Sequence, residues 1–188
     1  MSDIAWHEDA TKTVRTLQII VGAMTTGAFV FLAIVLAIGP QVKKPPGPLP
    51  PTPFTMIAAA IVVVGLIARV VVLWNISAKG RREIVSGTYT SVEPRTRKRL
   101  PPPDPADPCR DEKYLLSFFQ TKTITSSAMF EGWVFFATIA YMIEGNPLSL
   151  GLAIVLILCV ALHFPIQSRA IEWVERQTET LEQEKAMR

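Results

Sequence analysis

A chain of 188 residues, 49% hydrophobic and 19% charged, is too apolar for an ordinary soluble domain and too short for a large transporter. Its net charge of +3 does not point to nucleic acid, because the basic residues flank apolar runs, where membrane orientation places them. Cys109 lies in a hydrophilic stretch and Cys159 in an apolar one, so both read as free thiols, and neither a metal nor a cofactor is expected.

Residues 1–16 form a polar N-terminus, and the first apolar run follows at 17–38. That run far exceeds the roughly 7–15 apolar residues of a cleavable signal and has no small-residue cleavage site behind it, so it reads as a retained span. Residues 39–53 carry seven prolines, which favour a stiff polyproline II spacer. A second span is expected at 54–74. The segment 75–120 is basic, with Lys79, Arg81, Arg82, Arg95, Arg97, Lys98 and Arg99, and then proline-rich through residues 101–108. Taken alone it buries too little apolar surface to fold and reads as a linker, or as a strip that docks on anionic lipid or an acidic partner.

A third span is expected at 121–143, its continuous apolar run starting at Ile124. Glu144, Gly145, Asn146 and Pro147 make a tight turn, with Gly and Asn suited to ending one helix and Pro to starting the next. The fourth span is expected at 148–166. At 167–188, Ile171, Val174 and Leu181 keep a heptad-like spacing among many glutamates, which predicts a surface helix too acidic to bind lipid well. Trp74 and Trp173 fit as interfacial anchors. The runs are continuously apolar, where barrel strands would alternate, so the expected fold class is an all-α membrane protein of four transmembrane helices with a cytoplasmic C-terminal helix.

Of the 19 lysines and arginines, Arg69 lies within a span, Lys43 and Lys44 fall on one side, and the other sixteen on the opposite side. The positive-inside rule therefore puts both termini and residues 75–120 in the cytoplasm of a cell membrane, expected to be the bacterial cytoplasmic membrane.

Shifted by 105 residues, the first span overlays the third. Thr16, Ile19, Ala23, Met24, Gly27, Phe31, Ile34 and Ile38 fall on Thr121, Ile124, Ala128, Met129, Gly132, Phe136, Ile139 and Ile143. This is the pattern of a duplicated helix pair, or of chance identity between apolar helices; the second and fourth spans show no such match. Ala23 with Gly27, and Ala128 with Gly132, are small residues four apart, which let helix backbones approach in lipid, so the first and third helices are expected to cross there.

Two charges lie within spans. Glu131 is about 10 Å and Arg69 about 8 Å from the cytoplasmic ends of their runs, a matched depth that suggests an intramembrane polar pair. Arg69 could instead snorkel, and Glu131 could accept hydrogen bonds from Thr25 or Thr26 or bind an ion or proton; His163 lies near the same depth.

The repeated Ala-Met-x-x-Gly helix, with Glu131 in its second copy and the turn at 144–147 behind it, resembles a loose group of uncharacterised bacterial four-span proteins; that resemblance implies the fold and no activity. Proteolipid rings of rotary ATPases share a mid-membrane Glu but need glycine-dense helices, and small multidrug exporters carry theirs in the first helix, where this chain has Thr25 and Thr26. No nucleophile and base stand in a catalytic arrangement, so an enzyme is not expected. The readings left are a non-enzymatic structural or assembly protein, an ion- or proton-coupled transport element using Glu131, and an anchor for a cytoplasmic partner. Besides the lipid bilayer, the partners in view are a second copy of the chain or a cytoplasmic protein.

Overall fold

A computed structural model gives the fold and describes residues 2–39, 53–89, 107 and 109–187. The proline-rich connection at 40–52 and the cluster of Arg95, Arg97, Lys98 and Arg99 lie outside these. Five α-helices follow one another: α1 (Ser2–Ile38), α2 (Pro53–Ser86), α3 (Arg110–Glu144), α4 (Pro147–Leu162) and α5 (Gln167–Ala186), with no strand among the described residues.

Helix boundaries follow local chemistry. Gly87 ends α2 at φ +68°; its N–H donates to the carbonyl of Ile84 and that of Thr88 to Glu83, the paired bonds of a Schellman stop. Gly145 ends α3 at φ +65°, its N–H reaching Tyr141, and the Asn146 side chain then caps α4 by accepting from Leu148 N at 3.0 Å, with Pro147 in the first turn. Helix α4 stops at Leu162, short of the bound at 166 expected for a fourth span. Pro165 has no N–H and disfavours helical geometry at Phe164.

By its internal contacts the chain divides into two units: unit 1 is Met1–Gln18, Leu73–Thr123 and Pro165–Arg188, and unit 2 is Ile19–Val72 and Ile124–Phe164. The chain therefore enters and leaves unit 2 twice. Unit 2 has a core of Val21, Ala28, Val62, Phe130, Trp133, Val134, Ala137, Ala153, Leu156 and Val160. Its outside is apolar as well: of the exposed large hydrophobic residues, all but Trp74, Ile166 and Met187 belong to unit 2. On α2 they run nearly all round the helix, from Phe54 through Met56, Val63, Val64 and Ile67 to Val70 and Val71. Soluble proteins do not expose apolar surface on this scale, whereas lipid-facing helices do. Three helices are long and apolar enough to cross a membrane, or up to four when α4 and α5 count as one broken span. The described residues are thus all-helical, with three or up to four candidate membrane spans.

Unit 1 is rich in charged side chains. Its core joins Trp6 and Ala10 of α1, Ile84 of α2, Leu115 and Leu116 of α3, and Val174 and Leu181 of α5, with Tyr89, Cys109 and Tyr114. Ion pairs fringe it: Arg81 with Glu184 at 3.3 Å, Lys113 with Asp107 at 2.8 Å, and Lys185 with Asp111 at 3.2 Å. One expectation is corrected here: the segment 75–120 is no simple linker, because 75–86 and 110–120 are helical and contribute to this core, as does the polar N-terminus, helical over 2–16. Each stretch is too polar to fold alone; their apolar faces cover one another. The C-terminal helix forms as expected, with Ala170, Val174 and Leu181 buried, but as a wall of unit 1 rather than a lone surface helix.

Candidate functional site

Within unit 2 the polar side chains form two groups. The first lies where α3 turns into α4. Glu144 Oε1 accepts from Phe54 N at 2.7 Å, and its Oε2 accepts from Thr55 N at 2.9 Å and Thr55 Oγ1 at 2.6 Å. Thr55 Oγ1 in turn lies 2.6 Å from Ser149 Oγ, both groups buried. The first N–H groups of a helix have no partner within it and carry its positive dipole end, so a carboxylate from α3 serves as the missing cap of α2. Pro53 makes this local arrangement possible, since its own lacking N–H sits where none is needed.

The second group surrounds Arg69. Its Nε donates to Ser126 Oγ on α3 at 2.8 Å, and its guanidinium lies over the Phe130 ring, 4.8 Å from the centroid. The far neighbour of that ring is His163, 5.4 Å between centroids, whose Nδ1 lies 2.7 Å from the carbonyl of Cys159. Arg69, Ser126, Phe130 and His163 are thereby brought together.

Glu131 is not part of this group. Next in sequence to Phe130, it is turned by about 100° on the helix and faces α1 instead. A Cβ on Gly27 would stand 3.7 Å from Glu131 Oε1. Among the described residues Glu131 makes no hydrogen bond or ion pair, and no ion pair joins it to Arg69; Thr25 Oγ1 donates to the carbonyl of Val21 at 2.8 Å. The matched depth of Arg69 and Glu131 is not matched by orientation.

The small residues are distributed in the same uneven way. Gly27 is exposed, and a Cβ there would stand at ordinary contact distance from Glu131 Oε1, so α1 and α3 are neighbours at that point without the glycine being required. Ala23, Ala128 and Gly132 are exposed, and a Cβ at Gly132 would meet nothing within 4 Å, so the α3 pair forms no crossing inside the chain. The tight approach is at Gly65 of α2, where an added Cβ would fall 2.3 Å from Cζ2 of Trp133. A single glycine facing an aromatic ring has no i, i+4 signature, so the sequence carried no signal for it.

Unit 1 holds the acidic counterpart. A cavity of about 490 Å³ is lined by Trp6, His7, Glu112, Val174, Glu175, Thr178, Glu179 and Glu182. Glu112 also lines a neighbouring cavity of about 350 Å³ with Tyr89, Arg110, Asp111 and Lys185. Nearby, Tyr114 donates its hydroxyl to the buried carboxylate of Glu83, and Tyr89 donates to Asp111 Oδ1 at 2.6 Å with Arg110 over its ring. Neither Cys109 nor Cys159 is in a disulfide, and among the described residues no three His, Cys, Asp or Glu side chains are grouped to hold a metal.

No family model matches the chain, and neither a curated protein nor a solved structure shows detectable similarity to it. A functional reading therefore rests on these residues alone.

Proposed function

We propose that unit 2 crosses a cell membrane four times, that both termini and residues 75–120 lie on the cytoplasmic side, and that the protein is a non-enzymatic assembly protein whose spans hold unit 1 at the membrane face. The observation that carries this reading is the alternation of the chain. It passes from the charged unit to the apolar one and back twice, each time by a pair of helices, so lipid around unit 2 requires an even number of crossings. Charge counting supports the same orientation. The buried registers of α1 and α3 support the duplication too: Val21, Ala28, Leu32 and Val35 are buried, as are Ser126, Trp133, Ala137 and Ala140 at the positions 105 further on.

The acidic face of α5 is the surface offered to a cytoplasmic partner. Extracted from native membranes in mild detergent, the protein is expected to run on native gels as a complex larger than its monomer. Replacing Glu175, Glu179 and Glu182 by lysine should release it without lowering its amount. A monomer in both cases would end the assembly reading.

One observation favours a second reading, an ion- or proton-coupled transport element: Glu131 is an intramembrane carboxylate with no partner among the described residues. Proteoliposomes carrying a pH gradient separate the two, since dissipation by wild type and not by Glu131→Gln is required by transport and absent from a pure scaffold.

A further inference from the structure

Charge in unit 1 is sorted by distance along each helix from the point where the chain passes into unit 2. The seven unit-1 residues adjoining the four passages are 12–18, 73–79, 117–123 and 165–171. They contain Lys12, Arg15, Lys79, Lys122 and Arg169 and not one Asp or Glu. On α2 the series continues with Arg81 and Arg82 before the first acid, Glu83. The acids begin beyond these stretches, at Glu8 and Asp9, at Asp111 and Glu112, and at Glu172, Glu175, Glu179 and Glu182; Glu8 pairs with Lys12 at 2.9 Å and Glu172 with Arg176 at 3.3 Å.

Contacts inside unit 1 tie these stretches, or residues next to them, to one another: α1 to α5, α3 to α5 and α2 to α3. Gln18 Nε2 donates to the carbonyl of Pro165 at 3.0 Å, and Gln167 Nε2 to Thr11 Oγ1 at 2.8 Å. Lys122 Nζ lies 5.3 Å from the Trp173 ring centre, and Gly80 abuts the Phe118 ring. Arg15 and Arg82 are exposed and make no hydrogen bond or ion pair among the described residues; Lys79 keeps a 3.8 Å approach to Glu83 with most of its side chain in the open. Trp74, largely exposed, stands at the start of the α2 stretch, where an indole belongs at the lipid–water boundary.

We propose that this cationic rim, centred on Arg15, Lys79 and Arg82, binds the phosphate headgroups of anionic phospholipids, so that the protein gathers such lipids around itself in preference to zwitterionic ones. The inference rests on the spanning reading above and adds a lipid selectivity to it. Guanidinium and ammonium groups are donors without acceptor capacity, suited to phosphodiester oxygens, and the acid nearest Lys79 and Arg82, Glu83, is buried and accepts from the Tyr114 hydroxyl, so that it is not itself presented to a phosphate. The distal acids keep the rest of unit 1 from lying down on the same surface.

The test uses the full chain in vesicles of equal phosphatidylglycerol and phosphatidylcholine, with a trace of either lipid spin-labelled, reading the motionally restricted fraction. Phosphatidylglycerol is expected to exceed phosphatidylcholine in that fraction by about fivefold, the factor of one headgroup contact near the surface. The excess should collapse in Arg15→Gln/Lys79→Gln/Arg82→Gln and at high salt, and persist in the charge-keeping Arg15→Lys/Lys79→Arg/Arg82→Lys and in the distal Arg176→Gln. Inorganic phosphate at matched ionic strength should not remove it; removal would assign the rim to a soluble anion and overturn the lipid assignment. Equal restricted fractions for both lipids, or an excess untouched by the triple Gln variant, overturn the inference alone. No restricted fraction with either lipid overturns it together with the spanning reading.

Discussion

Glu144 holds Thr55 twice, through the backbone N–H at 2.9 Å and the hydroxyl at 2.6 Å, and so fastens the end of α3 to the beginning of α2. A cap drawn from a distant helix contributes more than a local one, because it also fixes two helices against each other. Glu144→Ala is expected to cost about 1–2 kcal/mol, the range of a strong N-cap. In detergent this should lower the melting midpoint by several degrees, and Glu144→Gln should lose part of that. A midpoint unchanged by Glu144→Ala would mean that water caps α2 equally well.

The Tyr114 hydroxyl donates a hydrogen bond to a carboxylate, Glu83, that is itself buried in unit 1. Hydrogen bonds to charged groups contribute about 1.5–3 kcal/mol, and removing one partner of a buried pair adds the cost of an ill-solvated charge. Tyr114→Phe is therefore expected to destabilise unit 1 by that amount, seen as faster amide exchange in 110–120 and 75–86. The double change Tyr114→Phe/Glu83→Gln should recover part of the loss. Strict additivity would sever the two side chains.

Much of the helical layout is legible in the sequence, because runs such as 54–74 are apolar at all but a few positions, Thr55, Gly65 and Arg69, and need no partner to be recognised. The cap at Asn146 is local and equally readable, whereas the stop at Gly87 falls in a segment that reads as a linker. What escapes is whatever depends on rotation about a helix or on a distant partner. Trp6 and Ala10 look like residues of a polar tail until Leu115, Val174 and Leu181 cover them. Arg69 and Glu131 lie at one depth, yet one step in sequence, from Phe130 to Glu131, decides whether a side chain faces α2 or α1. Depth follows from counting residues; azimuth follows from packing.

Arg69 accordingly couples to Ser126 rather than to Glu131. In a double-mutant cycle on thermal stability, Arg69→Gln and Ser126→Ala are expected to interact by about 0.5–1.5 kcal/mol, the range of interhelical hydrogen bonds in lipid. Arg69→Gln with Glu131→Gln should add within error. A larger coupling in the second cycle than in the first would restore the ion pair that matched depth suggests.

Tyr89 supplies a pH dependence. Burial, and then the hydrogen bond it gives to Asp111, push its phenol up to about 12, where an ordinary tyrosine titrates near 10. The folded state thus holds the proton more tightly than the unfolded chain. That contribution to stability is complete below about pH 10 and is lost as pH rises towards 12. Unfolding midpoints measured from pH 9 to 12 should fall less steeply in Tyr89→Phe than in wild type. Phenolate absorbance should show one late-titrating tyrosine missing from the variant; identical slopes would place Tyr89 in water.

Two glycines in unit 2 make opposite demands. At Gly65 the Trp133 ring occupies the space a methyl would need, with Cζ2 2.3 Å and Cε2 2.5 Å from the added carbon, and Trp133 is itself 8% exposed and hemmed in by Phe130. Real Cβ contacts are never so short, so either α2 moves away or the ring leaves its rotamer, at a cost of about 1–3 kcal/mol. Gly132 meets nothing within 4 Å, and alanine there gains up to about 1 kcal/mol of helix propensity. Gly65→Ala should lower the melting midpoint while Gly132→Ala leaves it level or raises it. Pairing Gly65→Ala with Trp133→Phe, which trims the indole at the point of collision, should recover most of the loss. If Gly65→Ala melts with wild type and Gly132→Ala melts early, the contact between α2 and α3 is not the one that orders this helix pair.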